Sequence, residues 1–168
     1  DKFGDQYYLP YSMGLLQAYA KRNLESYDEF IFLPPLYKKV KADEAITYLA
    51  EADIVFFSTY IWNCNISLDI ARGIRRGKNS PVIVFGGPQV PESAEDMKGF
   101  LKSYPFIDIA CYDEGEIPFL RILENLEGKK WENVPSIGFL AHAGNLVYNP
   151  KSERIRNLDE IPSPYLEG

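Results

Sequence analysis

Two short and almost continuous apolar segments constrain the fold of this chain more than any other feature. They are residues 53–59 and 82–85, and between them Ile66, Ile70 and Ile74 recur every four residues. A strand that is apolar on both sides has to be covered on both faces, and two such strands joined by a helix normally lie parallel. The sequence therefore predicts an α/β fold with a mostly parallel sheet and helices on both faces.

The rest of the chain repeats this alternation of helical and extended patterns. Ser93 and Asp96 have the spacing of a capping box at the start of a helix. The other predicted elements are helices from Ser12 to about Arg22, from Asp43, from Asn65 to Gly77 and from Pro118 to Gly128, with strands at 29–33 and 107–111 and a terminal antiparallel hairpin of residues 137–140 and 146–148.

The composition changes after Pro150, where the core periodicity ends. Residues 151–168 include Pro162 and Pro164 and are typical of a linker. We therefore predict one domain over residues 1–150, followed by a linker over 151–168. Doubly wound domains usually open with a strand, whereas this chain opens with a polar loop and a helix, so we also expect a hydrophobic strand before Asp1 in a longer parent protein.

Charge and composition bear on the partners of the protein. The formal net charge is -6, and a phosphate backbone needs a basic stripe, so the sequence predicts no nucleic acid partner. The densest basic cluster, Arg72, Arg75, Arg76 and Lys78, lies at a predicted helix end, where cations complement the helix dipole. No apolar stretch approaches the ~20 residues that cross a bilayer, so we expect no membrane span.

The two cysteines indicate a reducing setting. Cys64 and Cys111 are far apart and belong to no CxxC or CxxxCxxC spacing. The sequence therefore predicts neither a zinc site nor an iron–sulfur cluster within this chain, and a cytoplasmic location fits best.

Three predicted strands end in segments suited to binding a ligand. In open parallel sheets, ligands bind at the carboxyl ends of the strands, where such segments meet. Together the three offer small residues for close approach, hydroxyl and amide groups for hydrogen bonds, and aromatic surface to cover a flat ligand. They consist of Ser58, Thr59, Tyr60, Ile61, Trp62 and Asn63, then of Gly86, Gly87, Pro88 and Gln89, and finally of Asp113, Glu114, Gly115 and Glu116.

Each of these segments also has a purely structural explanation. Paired glycines after a strand often serve only to pack a helix against a sheet. Ser58 and Thr59 are able to cap local backbone, and Trp62 to pack beneath a loop. Glu114 and Glu116 precede a helix, where carboxylates are favourable with or without a ligand.

The sequence offers no catalytic residue of its own. The single histidine, His142, falls in the predicted hairpin, where we expect it at the surface. The GxSxG, GxGxxG and GxxxxGK[ST] patterns are absent. These observations predict a binding module without a metal site, whose reactive atom comes from the ligand or from a neighbouring domain.

Five motifs, taken in order, resemble a known family. They are residues 8–16 (YLPYSMGLL), 52–55 (ADIV), 84–88 (VFGGP), 114–116 (EGE) and 155–164 (IRNLDEIPSP). Over nearly all 168 residues the chain resembles the N-terminal cobalamin-binding-type domain of cobalamin-dependent radical S-adenosylmethionine (SAM) enzymes. The resemblance implies a flavodoxin-like or Rossmann-like domain that holds cobalamin over the carboxyl edge of its sheet. It also implies a partner, a downstream radical SAM barrel with a 4Fe-4S cluster and SAM, whose CxxxCxxC motif is not in this chain.

The resemblance also implies roles for the three segments. Residues 58–60 and 86–88 match the loops that embrace the lower face and the nucleotide tail of the cofactor. Residues 114–116 match a G-E-G-E turn, whose first glycine is replaced here by Asp113. The DxHxxG motif, whose histidine ligates cobalt in other cobalamin domains, is absent, because residues 3–9 contain no histidine. We therefore expect cobalamin to bind without an imidazole ligand from this chain.

Three hypotheses about function follow. The first is the cobalamin-binding module of a radical SAM methyltransferase, or of an enzyme that catalyses a related radical reaction. The second is a domain that has kept the fold, lost cobalamin and serves as an interaction or substrate-recruiting platform. The third, a nucleotide or flavin binder, is disfavoured by the missing GxGxxG pattern.

Overall fold

The computed structural model describes residues 2–3, 6–7 and 10–166. Strands β1 (Lys2–Phe3) and β2 (Gln6–Tyr7) pair antiparallel in a small sheet of their own. Residues 4, 5, 8 and 9, which belong to the segment that lacks the DxHxxG histidine, lie outside the described residues. The same holds for Gly168 at the end of the predicted linker.

The main sheet has five strands within the described part of the chain, in the order β3-β4-β5-β6-β7. The first three are parallel, whereas β6 runs antiparallel to β5 and β7 antiparallel to β6. The α/β fold and the terminal hairpin are therefore confirmed. The strands are β3 (Ile54–Ser58), β4 (Val82–Gly86), β5 (Ile109–Cys111), β6 (Ile137–Leu140) and β7 (Leu146–Tyr148).

Five helices within the same residues cover both faces of this sheet. They are α1 (Tyr11–Asn23), α2 (Ala42–Leu49), α3 (Cys64–Arg75), α4 (Ala94–Ser103) and α5 (Glu116–Glu124). Strand β4 contributes to both layers of the core, because Ile83 packs with α3 and α4 while Val84 packs with α5. Helix α1 lies outside α5 and completes that side.

The prediction of a strand at residues 29–33 is wrong. A 3-10 turn, Tyr27–Glu29, is followed by extended backbone outside any sheet. The side chains still alternate, since Phe30 and Phe32 pack toward α1 and α5 whereas Ile31 is 90% exposed. A strand needs a neighbour for its backbone groups, and among the described residues none lies beside this segment.

Several predicted helix boundaries also differ by one or two residues. Helix α1 begins at Tyr11, before Ser12, and α2 begins at Ala42, before Asp43. The residue in the N-cap position of α3 is Asn63, not Asn65. At α4 the capping box is confirmed, because the Ser93 hydroxyl accepts a hydrogen bond from the Asp96 amide at 3.1 Å.

Part of the basic cluster at the end of α3 has partners inside the fold. The Arg75 guanidinium pairs with Asp108 and donates to the Phe106 carbonyl at 3.1 Å. The same Asp108 carboxylate accepts a hydrogen bond from the Ile83 amide at 2.7 Å. These contacts fasten α3 and the start of β5 to β4, so Arg75 is not simply a solvated cation.

Candidate functional site

The three sequence segments singled out for binding meet at one edge of the sheet. Strands β3, β4 and β5 are neighbours and run parallel, so their carboxyl ends lie side by side. We call residues 58–63 the first loop, residues 86–89 the second loop and residues 113–116 the third loop. The edge that they share is the candidate site.

The first and second loops are locked together through Thr59. Its amide and its hydroxyl both donate to the Gly86 carbonyl at 2.7 Å, and its carbonyl accepts from the Gln89 amide at 3.3 Å. Thr59 is 1% exposed. Its side chain therefore joins two loops inside the protein.

Gly87 has a specific reason to be glycine. Its φ of +93° lies in the left-handed region, and a β-carbon there would stand 2.7 Å from the Thr59 carbonyl oxygen. The missing side chain thus makes room for neighbouring backbone. Gly86 differs, because a β-carbon would meet only the Cys111 β-carbon at 3.7 Å, which is an ordinary contact.

Asn63 shapes the first loop from within. Its side-chain oxygen accepts from the Tyr60 amide at 2.7 Å, and its side-chain nitrogen donates to the Ser58 carbonyl at 2.9 Å. These bonds close the turn that leads into α3. The amide group of Asn63, like the hydroxyl of Thr59, is engaged by the protein itself.

An aromatic pair stands at the outer side of the first loop. The rings of Tyr60 and Trp62 stack with centroids 4.9 Å apart and planes inclined by 8°. Trp62 is 77% exposed, and the neighbouring Ile61 is 78% exposed. Large apolar side chains are rarely left in water over a contiguous surface without a function. Because most of the Trp62 side chain is in solvent, the alternative that it packs beneath the loop is wrong.

The third loop begins at an unusual residue. Asp113 has a φ of +65°, a conformation that glycine adopts readily and that other residues adopt at a cost. Its carboxylate pairs with Lys151 Nζ at 3.1 Å, and this contact raises the pKa of Lys151. Asp113 thus holds a backbone conformation that glycine would adopt without strain.

The two glutamates of the third loop have different surroundings. Glu114 lies 3.6 Å from Arg154 Nε, across an exposed ion pair. Glu116 opens α5 and contributes, after burial, to raising the pKa of Tyr19 on α1. Between them, Gly115 lies against α1, because a β-carbon there would approach the Leu16 side chain at 3.3 Å.

Beneath the loops lie Cys111 and Tyr112, and burial favours the neutral form of each side chain. Cys111 keeps a partly exposed surface, yet burial raises the pKa of its thiol to about 12. Burial, and then the neighbouring Tyr148 hydroxyl, raise the pKa of Tyr112. Tyr112 stacks on Tyr148 at 4.7 Å and donates its hydroxyl proton to the Asn149 carbonyl.

The site contains the groups of a binding surface. Its exposed or half-buried residues from the sequence prediction are Ser58, Tyr60, Trp62, Asn63, Gly86, Gly87, Pro88, Gln89, Glu114, Gly115 and Glu116. His142 is exposed in the turn between β6 and β7, as expected. In the part of the chain that the structure describes, no group of three His, Cys, Asp or Glu side chains is able to hold a metal ion. No helix found there is long and apolar enough to span a membrane.

Sequence reasoning missed the residues that support the third loop from elsewhere. Lys151 and Arg154 contact Asp113 and Glu114, although they belong to the segment assigned as a linker. Leu16 of α1 supports Gly115 from the other side. The substitution of aspartate for the expected glycine was the available signal, because a left-handed aspartate benefits from a partner for its carboxylate.

The chain is similar to two curated methyltransferases. No family model matches it. Over 163 residues it is 27% identical to the cobalamin-dependent radical SAM methyltransferase TokK of Streptomyces tokunonensis. It is 29% identical over 163 residues to 2-(S-pantetheinyl)-carbapenam-3-carboxylate methyltransferase of Streptantibioticus cattleyicolor. Each match covers 96% of this chain and 23% of the relative, so the chain spans less than a quarter of their length.

The fold matches a solved structure from the same class. The cobalamin-dependent SAM radical enzyme OxsB with aqua-cobalamin and SAM bound aligns with a TM-score of 0.71 and 22% identity. That match covers 95% of this chain and 22% of OxsB, and the OxsB structure with aqua-cobalamin alone gives a TM-score of 0.70. The resemblance to cobalamin-dependent radical SAM enzymes, inferred above from five motifs, is thus confirmed.

Proposed function

We propose that this chain is the cobalamin-binding module of a radical SAM enzyme, either a methyltransferase or an enzyme of a related radical reaction. The observation that carries the proposal is the meeting of three loops at the carboxyl edge of parallel strands, with exposed Trp62 beside them. Support comes from the matching fold of OxsB, whose structure contains aqua-cobalamin. The cofactor, when bound, would supply the reactive cobalt.

The residues of the chain then divide into two groups. Residues whose groups face outward would contact the cofactor, and those engaged inside the loops would hold the loops in place. Thr59, Asn63 and Gly87 belong to the second group, because their polar groups or the space beside them are taken by neighbouring backbone. The contacting group would be Ser58, Tyr60, Trp62, Gly86, Pro88, Gln89, Glu114, Gly115 and Glu116.

The donor set fits cobalamin held without an imidazole from these loops. The single histidine of the chain, His142, lies in the turn of the β6–β7 hairpin and not in any of the three loops. What the loops offer is aromatic surface in Tyr60 and Trp62 and, at Gly86, a position without a side chain where a β-carbon would meet only Cys111 at 3.7 Å. Such a surface binds a flat macrocycle by contact and hydrogen bonding.

The wider assignments belong to the same proposal. Residues 1–150 would form the binding domain, and residues 151–168 would link it to a radical SAM domain with a 4Fe-4S cluster and SAM. The partial coverage of the relatives is compatible with such a longer protein. The proposed location is the cytoplasm, with no nucleic acid partner.

Retention of corrin by the chain tests the proposal. The chain is mixed with hydroxocobalamin and passed through gel filtration while protein and corrin absorbance are followed together. We expect corrin to elute with the wild-type chain and less of it with Gly86→Val, which adds bulk where the backbone accepts a side chain. Gly99→Val is the matched control, since Gly99 on α4 faces open space. Absence of corrin from a folded wild-type chain and from its longer parent protein would contradict the proposal.

An interaction platform is the second candidate. It is favoured by an exposed apolar segment outside the three loops in sequence, in which Ile31 is 90% exposed and Leu36, Tyr37 and Val40 are each exposed by more than a third. The corrin measurement separates the two functions, because a platform would leave even the longer parent protein without corrin absorbance. We would then expect the partner of the platform to bind at residues 31–40.

A further inference from the structure

The segment after β7 returns to the candidate site. Strand β6 reverses the direction of β5 and β7 reverses it again, so β7 ends at the same edge as β3, β4 and β5. Residues 151–166 continue from that edge toward the start of α1, and we call them the strap. The strap lies beside the third loop and is held at several points along its length.

The first attachment lies at Lys151 and Ser152. Lys151 Nζ is 3.1 Å from the Asp113 carboxylate and 3.4 Å from that of Glu92. The Ser152 amide donates to the Ser136 hydroxyl at 2.8 Å, and the Ser136 amide donates to the Pro150 carbonyl at 2.8 Å. One end of the strap is thereby bound to the residues that flank the end of β5.

The strap is attached again further along. Arg154 faces Glu114 at 3.6 Å, and Arg22 of α1 donates to the Asp159 carbonyl at 3.4 Å. Near the far end Pro162 is buried, and Tyr165 stacks on Tyr11 with ring centroids 6.0 Å apart. The strap therefore connects the third loop with the first turn of α1.

Among the ion pairs of the strap, the pair of Lys151 and Asp113 has the partner that is best shielded from solvent. The Asp113 side chain is 18% exposed, whereas Glu92 and Glu114 are 70% and 43% exposed. An ion pair with one shielded partner is screened less by water and salt than one between two exposed groups. Asp113 is also the residue of the third loop with a left-handed backbone, so its partner acts on the conformation of that loop.

We propose that the strap holds the third loop in place and that Lys151 is a positioning residue for the loop. The contacts of Lys151 with Asp113 and Glu92 secure the end of β5 and keep the third loop in its left-handed turn. The strap itself follows from contacts within the chain, whereas its effect on cofactor binding rests on the proposed function.

Hydrogen exchange of the ligand-free chain tests the strap. The readouts are the Ser152 amide, whose hydrogen bond to Ser136 joins the strap to the body of the protein, and the Ser136 amide, which bonds to Pro150 directly before the strap. We expect Lys151→Met to speed their exchange by about two- to fivefold, the range that a partly exposed ion pair supports, and Lys151→Arg to restore it. Raising the salt concentration should speed the exchange of both amides in the wild type toward the rates of Lys151→Met, because salt screens the ion pair.

Lys98→Met is the matched control, because Lys98 is exposed on α4 and no ion pair of it is found within the described residues. This variant should leave the exchange of both amides at the wild-type rate. If exchange is unchanged in Lys151→Met, or if Lys151→Arg exchanges as fast as Lys151→Met, the proposal that Lys151 holds the strap is overturned.

Corrin retention by the same variants tests the positioning role separately. We expect Lys151→Met to retain less hydroxocobalamin than the wild type, and Lys151→Arg and Lys98→Met to retain as much, at an unchanged urea midpoint. If Lys151→Met exchanges faster but retains as much hydroxocobalamin as the wild type, the attachment of the strap stands and the positioning role of Lys151 is overturned. A wild type that retains no corrin would count against the proposed function, while the exchange rates would still decide the strap.

Discussion

The carbonyl oxygen of Thr59 lies 2.7 Å from the position that a β-carbon on Gly87 would occupy. The two residues belong to different loops, and the Thr59 hydroxyl donates to Gly86, next to Gly87 in sequence. The glycine pair after β4 is thus explained in part by contact between two loops. At Gly86, in contrast, a β-carbon would meet only an ordinary contact with Cys111 at 3.7 Å.

Gly87→Ala should destabilise the protein. The alanine would have to hold a φ of +93° and meet the Thr59 backbone, and strained backbone of this kind costs about 1–3 kcal/mol. Urea unfolding should show a lower midpoint with an unchanged slope. Gly86→Ala is the comparison, because its β-carbon meets only an ordinary contact at 3.7 Å, and an equal loss in both variants would refute the explanation.

Asp113→Ala should be less stable than Asp113→Gly. Both variants lose the ion pair with Lys151, so the difference between them reports the backbone preference of residue 113, in the folded and the unfolded chain, without the carboxylate. Glycine accepts a φ of +65° at little cost, whereas alanine pays about 1 kcal/mol. The free energies of unfolding of the two variants are compared in urea. Equal values would mean that the loop changes its conformation once the carboxylate is gone.

Stability should fall as the pH rises from about 9 toward 12, in part because of Cys111. The unfolded thiol ionises near its ordinary pKa of 9.0, whereas burial raises the pKa of the folded thiol to about 12. Between these values the unfolded chain has released a proton that the folded chain keeps, so unfolding is favoured. Urea titrations at several pH values measure this slope. Cys111→Ala should have a shallower slope than the wild type, and equal slopes would count against a buried, neutral thiol.

Trp62→Ala should weaken corrin retention without destabilising the fold. Its side chain is 77% exposed, and exposed substitutions usually change the free energy of unfolding by less than about 0.5 kcal/mol. Loss of one aromatic contact of about 0.5–1.5 kcal/mol corresponds to roughly two- to tenfold weaker binding of hydroxocobalamin. Hydroxocobalamin binding to the wild type and to Trp62→Phe is measured by the quenching of tryptophan fluorescence. Its binding to Trp62→Ala is measured by gel filtration.

Ile61→Ala serves as the control for Trp62→Ala. Ile61 is 78% exposed on the same loop, yet it takes no part in the aromatic stack with Tyr60. We expect it to retain hydroxocobalamin as the wild type does. If the two variants lose corrin equally, the aromatic ring has no special part in binding.

The elements that local sequence determines were predictable. The capping box at Ser93 needs only residues within one helical turn, and the β6–β7 hairpin needs only a short connection. The prediction of a strand at residues 29–33 failed because a strand depends on a neighbouring strand, which can come from any part of the sequence. Its alternating side chains were visible, but the absence of a partner within the described residues was not.

The candidate site was predictable at the level of its loops and not at the level of contacts. Parallel strands bring their carboxyl ends together, so three loops could be placed at one edge from the sequence alone. The burial of Thr59 and the pairing of Lys151 with Asp113 depend on residues that are 27 or more positions apart in the chain. Local sequence hints at a partner for Asp113, through the aspartate at a position where glycine was expected, but it does not identify which residue that partner is.

The number of antiparallel steps at the end of the sheet, whether odd or even, decides at which edge residue 151 emerges. After one reversal of chain direction, residue 151 would lie at the opposite edge of the sheet, about one strand length from the third loop. After two reversals it lies beside that loop. Adding or removing a complete hairpin would keep residue 151 at the same edge of the sheet but shift it sideways by two strand spacings, about 10 Å. Adding or removing a single strand would separate Lys151 from Asp113, even with every other residue kept.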